Sequence, residues 1–229
     1  MKSQSLGHRN LKSGRTLLAL IFPIMLFMQI GCVKQMGQHP CAVEECFGQD
    51  AWQQAIDHIA THNFPEEHYF GRVYSDRLNN AWTSNDNKVN ISEDLLSKLI
   101  HMGDTYVLSV SAHEIAHIRS HHYSRKAALS HASFLGSLNK DSFSYQEERH
   151  KAVAVLSRKH ELEADRLAVQ YMEQAGYHRK DYLNFLKWME RNLKDASPSE
   201  LATHPQIKER IARVEELISV AITGRPGLK

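Results

Sequence analysis

With 229 residues, 42% of them hydrophobic, the chain can bury one ordinary core and is too short for several. Its formal charge of +2 overstates its basic character, because Lys2, Arg9, Lys12 and Arg15 fall within a first stretch of 31 residues that has no Asp or Glu. Taking those four from the 28 Lys and Arg leaves 24 against 26 acidic residues, a balance of −2, so the charge offers no argument for a nucleic-acid partner.

The basic start is followed by an apolar stretch from Leu17 to Met28, interrupted by Pro23, and then by Gln29-Ile30-Gly31-Cys32. Residues 1–31 read as a secretory signal peptide, since the apolar run is short of the roughly 20 residues a spanning helix needs. An uncleaved membrane anchor is the competing reading. Gly31 before Cys32 resembles a bacterial lipoprotein processing site, in which the cysteine becomes the lipidated new N-terminus. Gln29 departs from that pattern, and Val33 resembles the signal for sorting to an outer membrane. The expected location is the periplasmic face of a bacterial membrane, with the lipid on Cys32 as the membrane contact. Cys41 and Cys46 then remain as an even pair in an exported chain, which favours a disulfide over a metal clip with His39.

Residues 32–49 have no apolar period and read as a tether, so the domain is expected over 50–229. Asp50 can cap a first helix through His62, with Trp52, Ile56 and Ile59 on one face. Three short β-prone runs, Gly71 to Ser75, Asn80 to Thr83 and Lys88 to Ile91, suggest a small antiparallel sheet. Helical patterns then cover Ser92 to Met102, Thr105 to Ser130, Tyr145 to Ala175, Lys180 to Leu193 and Pro205 to Val220. Gly176 is placed to stop the third of these, and the last carries Ile207, Ile211, Val214 and Ile218 on one stripe. The fold class is therefore α+β, mostly helical, with the small sheet beside the helix that holds His113.

That helix carries His113-Glu114-Ile115-Ala116-His117. Residues four apart share a face, so both imidazoles can reach one ion, and Glu114 beside them can serve as a general base. Zinc suits such a set, because three protein ligands leave a fourth position open. With 15 His in the chain a chance match has to be weighed, but the apolar neighbours Val107, Leu108, Val110, Ile115 and Ala116 imply a buried helix, where polar residues need a reason. A third His ligand in the metzincin manner is excluded, since Ser120 and Tyr123 stand where Gly and His would be required. Downstream, Glu161 and Asp165 lie four apart on one helical face, with small Ala164 and Ala168 allowing close approach. Glu161 is the expected third ligand, and Asp165 the expected hydrogen-bond partner of a ligand imidazole. The competing reading is a solvated acidic stretch paired with Arg158, Lys159 and Arg166, and for Glu163 that reading prevails.

The series His113-Glu114-Ile115-Ala116-His117 with His122, Glu161-Leu162-Glu163-Ala164-Asp165, Ala175-Gly176-Tyr177 and Thr203-His204-Pro205 resembles the motifs of the HtpX-like, BepA-like and CAAX-prenyl-protease-like zinc metallopeptidases, the gluzincins. The short lipidated form is most similar to their periplasmic lipoprotein members. The resemblance implies a zincin-like domain, one zinc ion per subunit, Glu161 as the third ligand, and His204 near the site, either steadying the oxyanion or blocking the metal. It also implies a cleft bordered by an edge strand, for which Ala81 and Trp82 are the candidates, although Ser84-Asn85-Asp86-Asn87 replaces a Gly pair usual in the family. The expected activity is a zinc-dependent endopeptidase acting on unfolded or misassembled envelope polypeptides. The alternative is a zinc-stabilised envelope chaperone or binding lipoprotein with little or no proteolysis.

Overall fold

The computed structural model describes residues 47–75, 79–84, 86–137, 143–193 and 207–223, with side chains for all of these but 130–137, 143–151 and 222–223. The leader 1–31, Cys32, Cys41, Cys46, His204 and nearly all of the tether lie outside the described residues.

Helix α1 (Gln49–Asn63) buries Trp52, Ala55, Ile56, Ile59 and Ala60, the spacing of one helical stripe. It is entered through Gly48 at φ 79 and not through a cap by Asp50, which sits in the first turn where the helix dipole favours a carboxylate. Two glutamines on α1 bind strand β1 (Phe70–Tyr74). Gln49 Nε2 donates to the Gly71 carbonyl at 3.1 Å, while the amide oxygens of Gln53 and Gln49 accept from Gly71 N at 2.7 Å and Val73 N at 3.1 Å. The outward peptide groups of an edge strand are thereby satisfied within the fold. This approach needs a glycine, because a Cβ at Gly71 would stand 2.9 Å from side-chain atoms of both Trp52 and Ile56.

Strands β2 (Ala81–Thr83) and β3 (Lys88–Ser92) complete a sheet of order β1-β3-β2. β2 pairs antiparallel with β3, Ala81 opposite Ile91, whereas β1 pairs parallel with β3, Gly71 opposite Val89. The sheet is therefore mixed, which corrects the expectation of an antiparallel one. The chain reverses between β1 and β2 and again between β2 and β3, so β3, inserted between the other two, runs the same way as β1. Strands laid down in chain order would have given two antiparallel pairs.

Beyond the sheet come α2 (Glu93–Met102), α3 (Asp104–Arg119), α4 (His122–Ser137), α5 (Phe143–Gln174), α6 (Arg179–Asn192) and α7 (Ile207–Thr223). α3 is central, touching α1, α2, α4, α5, α6, β2 and β3. The fold class is as expected, helices in the majority beside a small sheet. One expected helix, Thr105 to Ser130, is divided. His121 takes φ 53, in the left-handed region that His tolerates better than most residues, and the chain restarts as α4. At the far end of α5, Gly176 adopts φ 89, Gly176 N donates to the Glu173 carbonyl at 3.0 Å, and Tyr177 N donates to the Met172 carbonyl at 2.9 Å. Those two bonds satisfy carbonyls the helix end would leave free. Among the described residues no helix is long and apolar enough to cross a membrane.

Candidate metal centre

α3 is buried along nearly its whole middle, from Val107 to Ala116, so its polar side chains have to find partners inside the protein. Ser109 and Ser111 donate to carbonyls of their own helix, Thr105 at 2.6 Å and Leu108 at 3.0 Å. His113 and Glu114 are buried as well, and His117 is half-buried one turn further on. α5 packs against α3 with small side chains wholly buried on both helices, Ala112 and Ala116 on one and Ala164 and Ala168 on the other. Small residues let the two backbones come close. A carboxylate one turn before Ala164 is then within reach of the α3 imidazoles.

Glu161 is that carboxylate. His113 Nε2 and His117 Nε2 stand 3.1 Å apart, and the two carboxylate oxygens of Glu161 lie 3.4 Å and 3.5 Å from them. A tetrahedral ion with bonds of about 2.0–2.1 Å holds its ligand atoms about 3.3 Å from one another. The imidazole pair meets that spacing and each nitrogen has one Glu161 oxygen near it, and among the described residues these three form the one group of His, Cys, Asp or Glu that could hold a metal ion.

Behind the first imidazole the structure is equally specific. His113 Nδ1 lies 3.0 Å from the Tyr182 hydroxyl and 3.2 Å from Asp165 Oδ1, and that hydroxyl donates to Asp165 Oδ1 at 2.7 Å. Arg210, from α7, clasps Asp165 through two bonds, Nε to Oδ2 at 2.8 Å and Nη2 to Oδ1 at 2.6 Å, and its Nη1 lies 3.5 Å from Glu161. Both acceptors lie on the Nδ1 side of His113, so Nδ1 carries the proton and Nε2 turns its lone pair to the ion position.

Residues 49–218 match the model of Peptidase family M48. The chain belongs to that family. A search of curated proteins finds no match. M48 enzymes are metal-dependent peptidases, and the His113, His117 and Glu161 group is where this M48 chain can hold its ion.

The charges around the M48 site favour a cation. Burial opposes a charge on His113, but hydrogen bonds to Asp165 and Glu161 outweigh it, and the imidazole is pushed up to about 9. Burial and the neighbouring charge of His113 push His117 down to about 3. Burial would raise Asp165, yet the Arg210 guanidinium and His113 hold its carboxyl down at about 2. One positive charge is thus drawn in among these carboxylates and imidazoles, and a divalent ion is the fuller answer to the same field.

On the other side of the site, His117 Nδ1 lies 3.0 Å from His122 Nδ1, and His122 Nε2 lies 3.3 Å from Glu163 Oε2. The His160 ring stacks on His122 with centroids 4.0 Å apart. His122, which belongs to the motif series, and His160 are both buried.

Of the remaining expected residues, Ala81 and Trp82 are half-buried on β2, which lies at the sheet edge and packs against α3. Tyr182 and Arg210 are the residues that sequence reasoning missed. Tyr182 looks like one more core aromatic of α6. Arg210 carried a signal: it stands beside Ile211, three residues after Ile207 and four before Val214, on the apolar face of α7. A cation on a buried face needs an anion, and α5 offers Asp165.

Proposed function

We propose that this M48 chain is a zinc-dependent endopeptidase that cuts unfolded or misassembled polypeptides at the bacterial envelope. The observation that carries the catalytic part is the convergence of His113, His117 and Glu161, with Glu114 buried next to His113 on the same helix. Two imidazoles and one carboxylate suit zinc, with a coordination position left open for chemistry. Zinc held there supplies Lewis acidity, which makes water acidic near neutral pH and polarises a peptide carbonyl. Glu114 takes the proton of the attacking water and returns it to the leaving amine. Asp165, Tyr182 and Arg210 keep the His113 ring aimed throughout the cycle.

The sheet supports a polypeptide substrate. β1 has its outward peptide groups bonded by Gln49 and Gln53, whereas the pairing of Trp82 with Asn90 turns the peptide groups of Ala81 and Thr83 away from β3. An extended substrate can add to β2, the edge beside the metal-binding helix, by main-chain hydrogen bonds that do not depend on its sequence. Such recognition fits chains that have lost their fold. The envelope location rests on the leader, with Cys32 as lipid anchor and Cys41 paired with Cys46. His204 is assigned to the neighbourhood of the site by motif resemblance, as an oxyanion donor or as a block on the metal.

Glu114→Gln is expected to retain bound zinc while cleavage of an unfolded protein falls by at least about 10²–10⁴-fold, the usual contribution of a general base. Equal cleavage by variant and wild type would sink the peptidase reading. Tight binding of unfolded protein without cleavage by either would favour the chaperone alternative instead.

A further inference from the structure

The two ligand imidazoles are oriented by different means. His113 is held from behind by Asp165, Tyr182 and Arg210, all buried. At its Nδ1, His117 meets no carboxylate among the described residues but another histidine. The polarity of that contact can be read from its outer end. Glu163 Oε2 lies 3.3 Å from His122 Nε2, and an ionised carboxylate only accepts, so Nε2 of His122 carries the proton. A neutral imidazole with its proton on Nε2 offers a lone pair at Nδ1, so the 3.0 Å contact with His117 requires His117 Nδ1 to donate. The lone pair of His117 is then on Nε2, the atom 3.1 Å from His113 Nε2 and 3.5 Å from Glu161 Oε1.

We infer that His122 and Glu163 are positioning residues for the metal centre: the chain Glu163 to His122 to His117 fixes the tautomer and plane of the second ligand. This rests on the reading of His113, His117 and Glu161 as a metal site. The outer parts are themselves held. His160 stacks nearly parallel on His122, with an interplanar angle of 9°, and Arg125 Nη1 lies 3.7 Å from Glu163 Oε2. The left-handed turn at His121 supplies the reach, because it ends α3 and lets the next residue fold back on His117. A helix continued through His121 would place His122 five positions on from His117, about 140° round the axis and off its face. The break in the helix thereby gains a purpose in the site.

The test uses the full chain, with zinc affinity measured by chelator competition and the absorption spectrum of the cobalt-substituted protein recorded beside it. His122→Phe keeps a buried ring and removes both nitrogens, and should weaken zinc binding about 10- to 100-fold, as loss of such partners does at other metal sites. Since His122 is buried and the variant can misfold, Glu163→Met, at a half-exposed position, is the second probe. It should weaken zinc several-fold and shift the cobalt spectrum with the melting temperature of the metal-free protein unchanged, and Glu163→Gln, which keeps an acceptor, should restore most of the loss. Zinc affinity and cobalt spectra like those of wild type in both His122→Phe and Glu163→Met would overturn the inference alone. A wild-type chain that binds no metal would overturn the underlying site as well.

Discussion

The hydroxyl of Tyr182 stands between a ligand and its carboxylate, 3.0 Å from His113 Nδ1 and 2.7 Å from Asp165 Oδ1. Tyr182→Phe keeps the ring in the core and deletes one acceptor for the imidazole. The variant should stay folded at a cost of about 1–3 kcal/mol for groups left short of a partner, and bind metal about tenfold more weakly, which a chelator titration measures. The same imidazole sets a pH dependence. Its folded-state pKa is raised to about 9, so below that value the metal-free protein carries a proton on His113 that an incoming ion must displace. Apparent metal affinity should therefore climb about tenfold per pH unit from neutrality and level off near pH 9, with about one proton released per ion, a slope that calorimetry in buffers of different ionisation enthalpy can follow. A flat profile would remove the His113 proton from the competition.

At the level of elements, Gly71 decides how closely α1 approaches β1, since a Cβ there would press to 2.9 Å on Trp52 and Ile56. Gly71→Ala should destabilise the fold by about 1–3 kcal/mol, seen as a lower urea midpoint. Cleavage of short substrates, which depends on α3 and α5, should change little. What could be read from the sequence follows the range of each interaction. The pair His113 and His117 is set by helical spacing alone, and Glu161 with Asp165 by the same rule on a second helix, so both were legible. The parallel pairing of β1 with β3 was not, because three short β-prone runs do not say which strand lies between the others. Nor was the break at His121, where no Gly, Pro or Asn marks a stop and the return of His122 to His117 is a tertiary gain. Asp165 was legible as a partner for a ligand imidazole; Arg210, its own partner 45 residues on, joins it only through packing of α5 with α7.

For the molecule as a whole, Arg210 ties α7 to the metal centre. Asp165 is 1% exposed and Arg210 8%, so neither charge can turn to water for relief. Arg210→Met should cost about 3–5 kcal/mol, the usual penalty for stranding one member of a buried ion pair, and should lower metal affinity as Asp165 and Glu161 lose their cation. Thermal unfolding with and without added zinc separates the two losses. A variant as stable as wild type would mean that Asp165 is already compensated by its other neighbours.

The clasp of Arg210 on Asp165 also sets an order of events in the life of the chain. His113, Glu114, His117, Glu161 and Asp165 are all made before Arg210. Until α7 docks, the acid that steadies His113 has no guanidinium beside it, and the ligand it should aim is poorly held. The aim of His113 thus depends on a helix that follows all three candidate ligands in the chain, and the site is complete only once α7 has packed on α5.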